Sequence, residues 1–185
     1  MISSSDRSGY FGASDTSYVV GNWQTKTFKK WWLEKLGITQ SNLSTKPMRV
    51  GSEYEHKILD TIPGVRNDHQ IIIENLRLRV NLDGDIDHHI IEVKTHKNDF
   101  NVTKAYWRQA QVEMFGYVLK YGILPKLTIK AYKVTDREYL NYFTDIDKTR
   151  ITDHPIKYDH EFTTGIYLPK LKTLVECLAR GVMPR

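Results

Sequence analysis

Apolar and polar positions alternate with a period of two through the middle of the chain. The period lengthens towards 3.6 on either side. Residues 70–74, 76–86 and 90–95 read as strands, and 127–134 as a further one. Helical spacing marks residues 27–36, with Phe28, Trp31, Trp32 and Leu36 as the buried stripe and Gly37 as the stop. A helix over 47–62 opens on Pro47 and ends at Pro63-Gly64, and a long one over 103–121 ends at Gly122. Leu168 to Ala179 closes the chain as a helix. Near the start, Ser14 to Ser17 offers N-cap chemistry ahead of Tyr18-Val19-Val20. Residues 38–45 read as a loop, and the polar stretch 136–158 supports no assignment. Helices before and after a block of strands predict an α/β (α+β) fold, a central mixed sheet flanked by helices.

The run from Asn81 to Thr95 holds the densest chemistry. With Asp87-His88 as a two-residue turn, Asp83 falls opposite Glu92. Alternation then puts Asp83, Asp85, Glu92 and Lys94 on one face and Leu82, Ile86, Ile91 and Val93 on the other. If His88-His89 forms the turn instead, Asp85 opposes Glu92, and both aspartates keep their face. Three carboxylates and an ammonium at close quarters call for a divalent cation, and oxygen donors suit Mg²⁺. Two carboxylates holding a metal, with a lysine beside an attacking water, suit phosphodiester hydrolysis. His88 and His89 read as turn-exposed, because no further histidine or cysteine stands at zinc-ligand spacing.

Two helices add candidates. On the wheel of the 47–62 helix, Glu55 lies within about 60° of Met48, Gly51, Ile58, Leu59 and Ile62, whereas Glu53 faces outward. A carboxylate on an apolar stripe must be ion-paired, hydrogen-bonded or metal-bound. In the long helix, Trp107, Ala110, Met114, Val118 and Tyr121 form one stripe, and Val112, Phe115 and Leu119 a second. So little wetted surface predicts packing against the sheet and a further element. Gln109 shares its sector with Ala105 and Gly116, where small side chains allow close approach.

Composition changes this picture little. The 185 residues suffice for one core, and 40% hydrophobic with 26% charged content is ordinary for a globular protein. Net charge +5 and a pI near 9.1 lean towards a polyanionic partner. Cys177 is alone, so no disulfide framework or cysteine-rich zinc site forms. No apolar run is long enough for a membrane span, and the N-terminus lacks a signal-peptide pattern, which leads to the expectation of a cytoplasmic protein.

Asp83…Glu92-Val93-Lys94 resembles the signature of the PD-(D/E)XK nuclease superfamily. More narrowly, the chain resembles the phage lambda exonuclease branch, the YqaJ-like viral recombinases. Four blocks carry the likeness in order: Arg7 through Gly12-Ala13-Ser14 to Gly21; Gly51-Ser52-Glu53-Tyr54-Glu55; Asp83-Gly84 through Lys94; and Tyr106 through Met114. Tyr167 to Gly181 fits the end of the family, so the likeness runs from about residue 7 to 181.

The resemblance implies a restriction-endonuclease-like core over 47–135, an N-terminal helical region (1–46) that contributes to DNA-end binding, and a C-terminal extension (136–185). It implies metal binding by Glu55, Asp83, Glu92 and the Val93 carbonyl, assistance to water by Lys94, and a place at the catalytic centre for Gln109. The Asp-Gly pair favours Asp83 over Asp85. Arg7, Ser14 and Asn81 would hold the 5′-phosphate of a DNA end, although Asn81-Leu82 stands where relatives carry Ser-Pro. The activity implied is Mg²⁺-dependent (Mn²⁺ substituting) 5′–3′ degradation of double-stranded DNA to leave 3′ single strands, in phage recombination. Partners implied are DNA ends, a single-strand annealing protein and two further copies in a trimer. The alternatives are an endonuclease or RecB-like single-strand exonuclease of the same superfamily, and a non-catalytic DNA-end binder.

Overall fold

A computed structural model describes residues 8–39 and 45–185. Among these residues six strands form one mixed sheet: β1 (Phe11–Gly12), β2 (Arg66–Ile73), β3 (Leu78–Ile86), β4 (His89–His96), β5 (Lys126–Lys133) and β6 (Ile151–Ile156). The helices are α1 (Thr16–Val19), α2 (Lys26–Lys35), α3 (Lys46–Leu59), α4 (Lys104–Tyr121), α5 (Asp136–Leu140) and α6 (Leu168–Ala179). Strand β1 comes from the N-terminal region and β6 from the C-terminal extension, so all three regions contribute to the same sheet.

The turn between β3 and β4 is Asp87-His88. Both residues take positive φ (47° and 60°), as a type I′ hairpin turn requires. Ile86 pairs with His89, Asp85 with Ile90 and Gly84 with Ile91, which is the first of the two registers open to the sequence. Strand β2 lies antiparallel along one side of β3 from Leu78 to Asp85. Both β1 and β4 therefore share its other side, β1 at Leu78–Arg79 and β4 at Gly84–Ile86. Between those contacts β3 and β4 part, and β4 continues parallel to β5.

The two hydrophobic faces are not divided as simple alternation predicts. Ile86, Ile91 and Val93 pack with Tyr54, Ile58 and Leu59 of α3, whereas Leu82 joins Ile90 in the cluster under α4. The β2–β3 ladder breaks at Asp68 and Asp83, where Asp68 takes φ +53°. The irregularity switches which side chains point to which face, as an irregular residue in a ladder does. The acidic face is also not open to solvent, because α4 covers it.

Helix α4 is buried without interruption from Ala110 to Tyr117, between the sheet and the α1 and α6 region, as its two apolar stripes foretold. Leu119 and Tyr121, expected within those stripes, are exposed at its C-terminal end. A Cβ on Gly116 would stand 2.7 Å from Val80 Cγ2, which is how closely the helix backbone approaches β3. The stretch without a sequence assignment contains α5 and β6. Thr135 caps α5 and Glu138 reaches back to the cap in a capping box. Strand β6 pairs antiparallel with β5 and carries Pro155, as an edge strand can.

Candidate active site

The site lies where β3 and β4 separate. Val93 N–H, left without a ladder partner on β3, donates to Asp83 Oδ2 at 2.8 Å. Glu92 is almost fully buried (2% exposed) and points towards α4. Its Oε1 accepts from Lys94 Nζ and from Gln109 Nε2, the latter at 2.7 Å. Gln109 Nε2 also donates to Glu113 Oε1 at 2.8 Å. Glu113 is wholly buried, and Glu92 Oε2 and Glu113 Oε2 are both enclosed without a hydrogen-bond partner. Glu55 arrives from α3 on the opposite face of the sheet.

Electrostatics follow from this crowding. Burial, then the charges of Glu92 and Glu55, pushes the Asp83 carboxyl well above the usual range. Burial and then Glu92 raise Glu55, and burial with Glu92 and Asp83 raises Glu113 well above it. Burial works against the Lys94 ammonium, but Glu92 and Asp83 outweigh it and hold the lysine above its ordinary value. Carboxylates thus outnumber the ammonium they surround.

The donor set fits a hard divalent cation: oxygens in excess of positive charge, one of them, Glu92 Oε2, buried and unpartnered. Among the described residues, no three His, Cys, Asp or Glu side chains stand close enough to hold a metal as they are. The site supplies donor chemistry and charge rather than a finished coordination shell.

Asp85 separates from this cluster. Arg66 donates to it through Nε (3.1 Å) and Nη2 (2.8 Å), and His69 Nδ1 lies 2.9 Å away. Its charge is therefore matched, whereas Asp83 stands beside the charges of Glu92 and Glu55. Glu55 flanks the buried stripe of α3 (Val50, Tyr54, Ile58 and Leu59) and does not sit within it, and Met48 is exposed. As expected, Glu53 faces outward, towards Lys57. His88 is turn-exposed, with Nδ1 3.0 Å from the Tyr117 hydroxyl.

The candidate phosphate residues are less gathered. Arg7 lies outside the described residues. Ser14 is exposed in a 3₁₀ turn over Ala13–Asp15 and is not an N-cap; Gly12 takes that position. Asp15 fixes the turn instead, accepting from Gly12 N–H (2.8 Å) and Trp31 Nε1 (2.9 Å) and pairing with Lys35 at 2.6 Å. Asn81 is exposed and accepts from Gln70 across the β2–β3 pair (3.0 Å). Parallel pairing of Gly12 with Arg79 directs the Ser14 turn along β3 towards Asn81.

The YqaJ-like viral recombinase domain matches residues 4–119, well over half of the sequence. The chain belongs to this family. That span holds β1 to β4, nearly all of α4 and every residue of the YqaJ-like site named above. Two solved structures share the fold. A phage-related exonuclease from Haemophilus somnus 129PT superposes with TM-score 0.61 at 15% identity, covering 93% of this chain and 96% of its own. A candidate exonuclease from Eubacterium rectale gives 0.59 at 11% identity, covering 94% and 82%. No curated protein shows significant similarity. Among the described residues, no helix is long and apolar enough to cross a membrane.

Glu113 stands outside the residues that the sequence pattern singles out. A carboxylate four residues beyond Gln109, in a stretch apolar on every side, carried the same warning as Glu55.

Proposed function

We propose that this YqaJ-like protein is a Mg²⁺-dependent exonuclease that degrades double-stranded DNA from 5′ ends and leaves 3′ single strands, with Mn²⁺ able to substitute. The observation that carries the reading is the excess of carboxylates around Lys94 at the β3–β4 fork: Asp83, Glu92 and Glu55, with Glu113 behind. Membership of the YqaJ-like family and the fold shared with a phage-related exonuclease support a nuclease role.

Asp83, Glu92, Glu55 and the Val93 carbonyl would hold the cation. Once bound, it would polarise the phosphoryl oxygen and lower the pKa of water. Lys94, kept protonated by Glu92 and Asp83, would stabilise charge that develops on the phosphate. Gln109 would hold Glu92 in place through its side-chain amide. Arg7, Ser14 and Asn81 would take the 5′-phosphate. A single-strand annealing partner, a trimer around DNA and a place in the host cytoplasm belong to the same reading.

Linear duplexes labelled at either end, with and without 5′-phosphate, in Mg²⁺ and in EDTA, test it. The expected result is release of 5′-terminal nucleotides in Mg²⁺ alone, faster from phosphorylated ends, with that preference lost in Arg7→Ala. Asp83→Ala and Lys94→Ala should bind DNA without cutting it. Cleavage of closed circles would replace the reading with an endonuclease. A wild type that binds DNA yet never hydrolyses it would leave an end-binding protein.

A further inference from the structure

A line of aromatic rings leads away from the candidate lysine. Lys94 Nζ lies 5.3 Å from the centroid of the Tyr106 ring. Tyr106 stacks on Phe100, with centroids 5.9 Å apart and planes within 11°. Phe100 then meets His96 at 5.2 Å and His154 at 4.8 Å. These three rings line a pocket of about 300 Å³ together with Lys133 and Thr152. Its size is at the lower end of the ~300–1,000 Å³ typical of small-molecule sites.

The polar groups of the pocket are suited to a nucleotide. His96 has a buried Nε2 with no hydrogen-bond partner. His154 Nε2 lies 2.9 Å from Thr152 Oγ1. Arg150, at the edge, is committed to Glu138 through both terminal nitrogens. Lys133 is different: its partner is Asp99, at 3.4 Å, and both are exposed. An exposed pair of this kind contributes little, so a phosphate can displace Asp99 from the ammonium.

We propose that this pocket binds a base of single-stranded DNA, seated against the adjoining rings of Phe100 and His154, with its phosphate on Lys133. A paired base has its ring faces covered by its neighbours in the duplex, whereas an unpaired base offers them to aromatic side chains. Resting on the nuclease reading, the occupant is the strand left behind by hydrolysis, guided off the fork along Tyr106 and Phe100.

The test uses a fluorescein-labelled oligothymidine and fluorescence anisotropy in EDTA, so that hydrolysis does not enter. Phe100→Ala should weaken binding about tenfold, the loss of one base–aromatic stack, and Phe100→Trp should restore it. His154→Ala, on a different strand, should weaken it as well and guards against a folding defect in the first variant. An oligonucleotide carrying 5-iododeoxyuridine should photo-crosslink to the peptides that contain Phe100 or His154. Unchanged affinity in Phe100→Ala and His154→Ala, or crosslinks confined elsewhere, would overturn the proposal. So would displacement of the oligomer by an equimolar amount of thymidine monophosphate, which would make the site one for free nucleotide. A wild type that binds the oligomer but leaves duplex DNA intact defeats the nuclease reading alone. Duplex hydrolysis together with intact oligomer binding in both variants defeats only the pocket.

Discussion

Asp83 accepts the main-chain N–H of Val93 at 2.8 Å across the point where β3 and β4 separate. One carboxylate thereby substitutes for a missing ladder bond and contributes to a cluster of negative charge. Asp83→Asn divides these roles, since the amide oxygen still accepts from Val93. DNA hydrolysis should fall about 10²–10³-fold or more. The folded state raises the Asp83 carboxyl, so it binds the proton more tightly than the unfolded chain, and stability is lost as pH rises above about 4. Without metal, the variant should melt above wild type at pH 8, with the gap narrowing towards pH 5. Mg²⁺ at a hundred times its dissociation constant should stabilise wild type by about 2.7 kcal/mol and the variant much less. Thermal melts across pH and Mg²⁺ concentration check both stability statements, and digestion of labelled duplex checks the rate.

Glu113 touches the site only through Gln109, whose amide it shares with Glu92. Glu113→Gln should lower hydrolysis about 10–100-fold, as loss of supporting contacts around a metal site does. Its melting temperature at pH 8 should stay level or rise, because a wholly buried carboxylate with an unpartnered oxygen is removed. A merely structural Glu113 would show the reverse: lower stability with single-turnover rates unchanged.

Glu138 is gripped by Arg150 through two bonds of 2.6 Å and accepts from Thr135 and Tyr132 besides. Arg150 above all holds the carboxyl well below the ordinary range. A depressed folded pKa contributes stability fully present above the unfolded value, about 4.3, and lost as pH falls through the folded one. Glu138→Gln should therefore cost about 3 kcal/mol at pH 7, and less and less below pH 4. Urea denaturation at pH 7 and pH 3 measures the difference.

Gly116→Ala sets helix propensity against packing. Alanine favours an exposed helix interior by about 1 kcal/mol, but here its Cβ would lie 2.7 Å from Val80 Cγ2. Overpacking a close-packed contact costs about 1–3 kcal/mol. The expected net change is a loss of about 1 kcal/mol, read from the shift in urea midpoint.

The parts of the fold legible in the sequence are those with regular periodicity. α2 and α4 lie within a residue or so of their expected limits, because apolar stripes and terminal glycines mark them. α3 ends at Leu59, three residues short of the expected 62. β6 was illegible: Thr152, Asp153, His154 and Pro155 support no assignment by pattern, and only pairing with β5 makes them a strand. The two-residue β1 is too short for any pattern, and β3 defines it.

In the candidate site, spacing put Asp83 or Asp85 opposite Glu92, depending on the turn, and named Lys94, and the helical wheel singled out Glu55. These follow from backbone geometry, which a short stretch of sequence determines. What only the tertiary structure decided is which charges are matched. Arg66 and His69 reach Asp85 from β2, so its carboxylate is satisfied, while Asp83 faces Glu92 and Glu55. Likewise Glu113 enters only because α4 lies across β4 with Gln109 between the two glutamates. Periodicity tells which way a side chain points along its own element. Its partners come from other elements, and burial among them sets the energy of the charge.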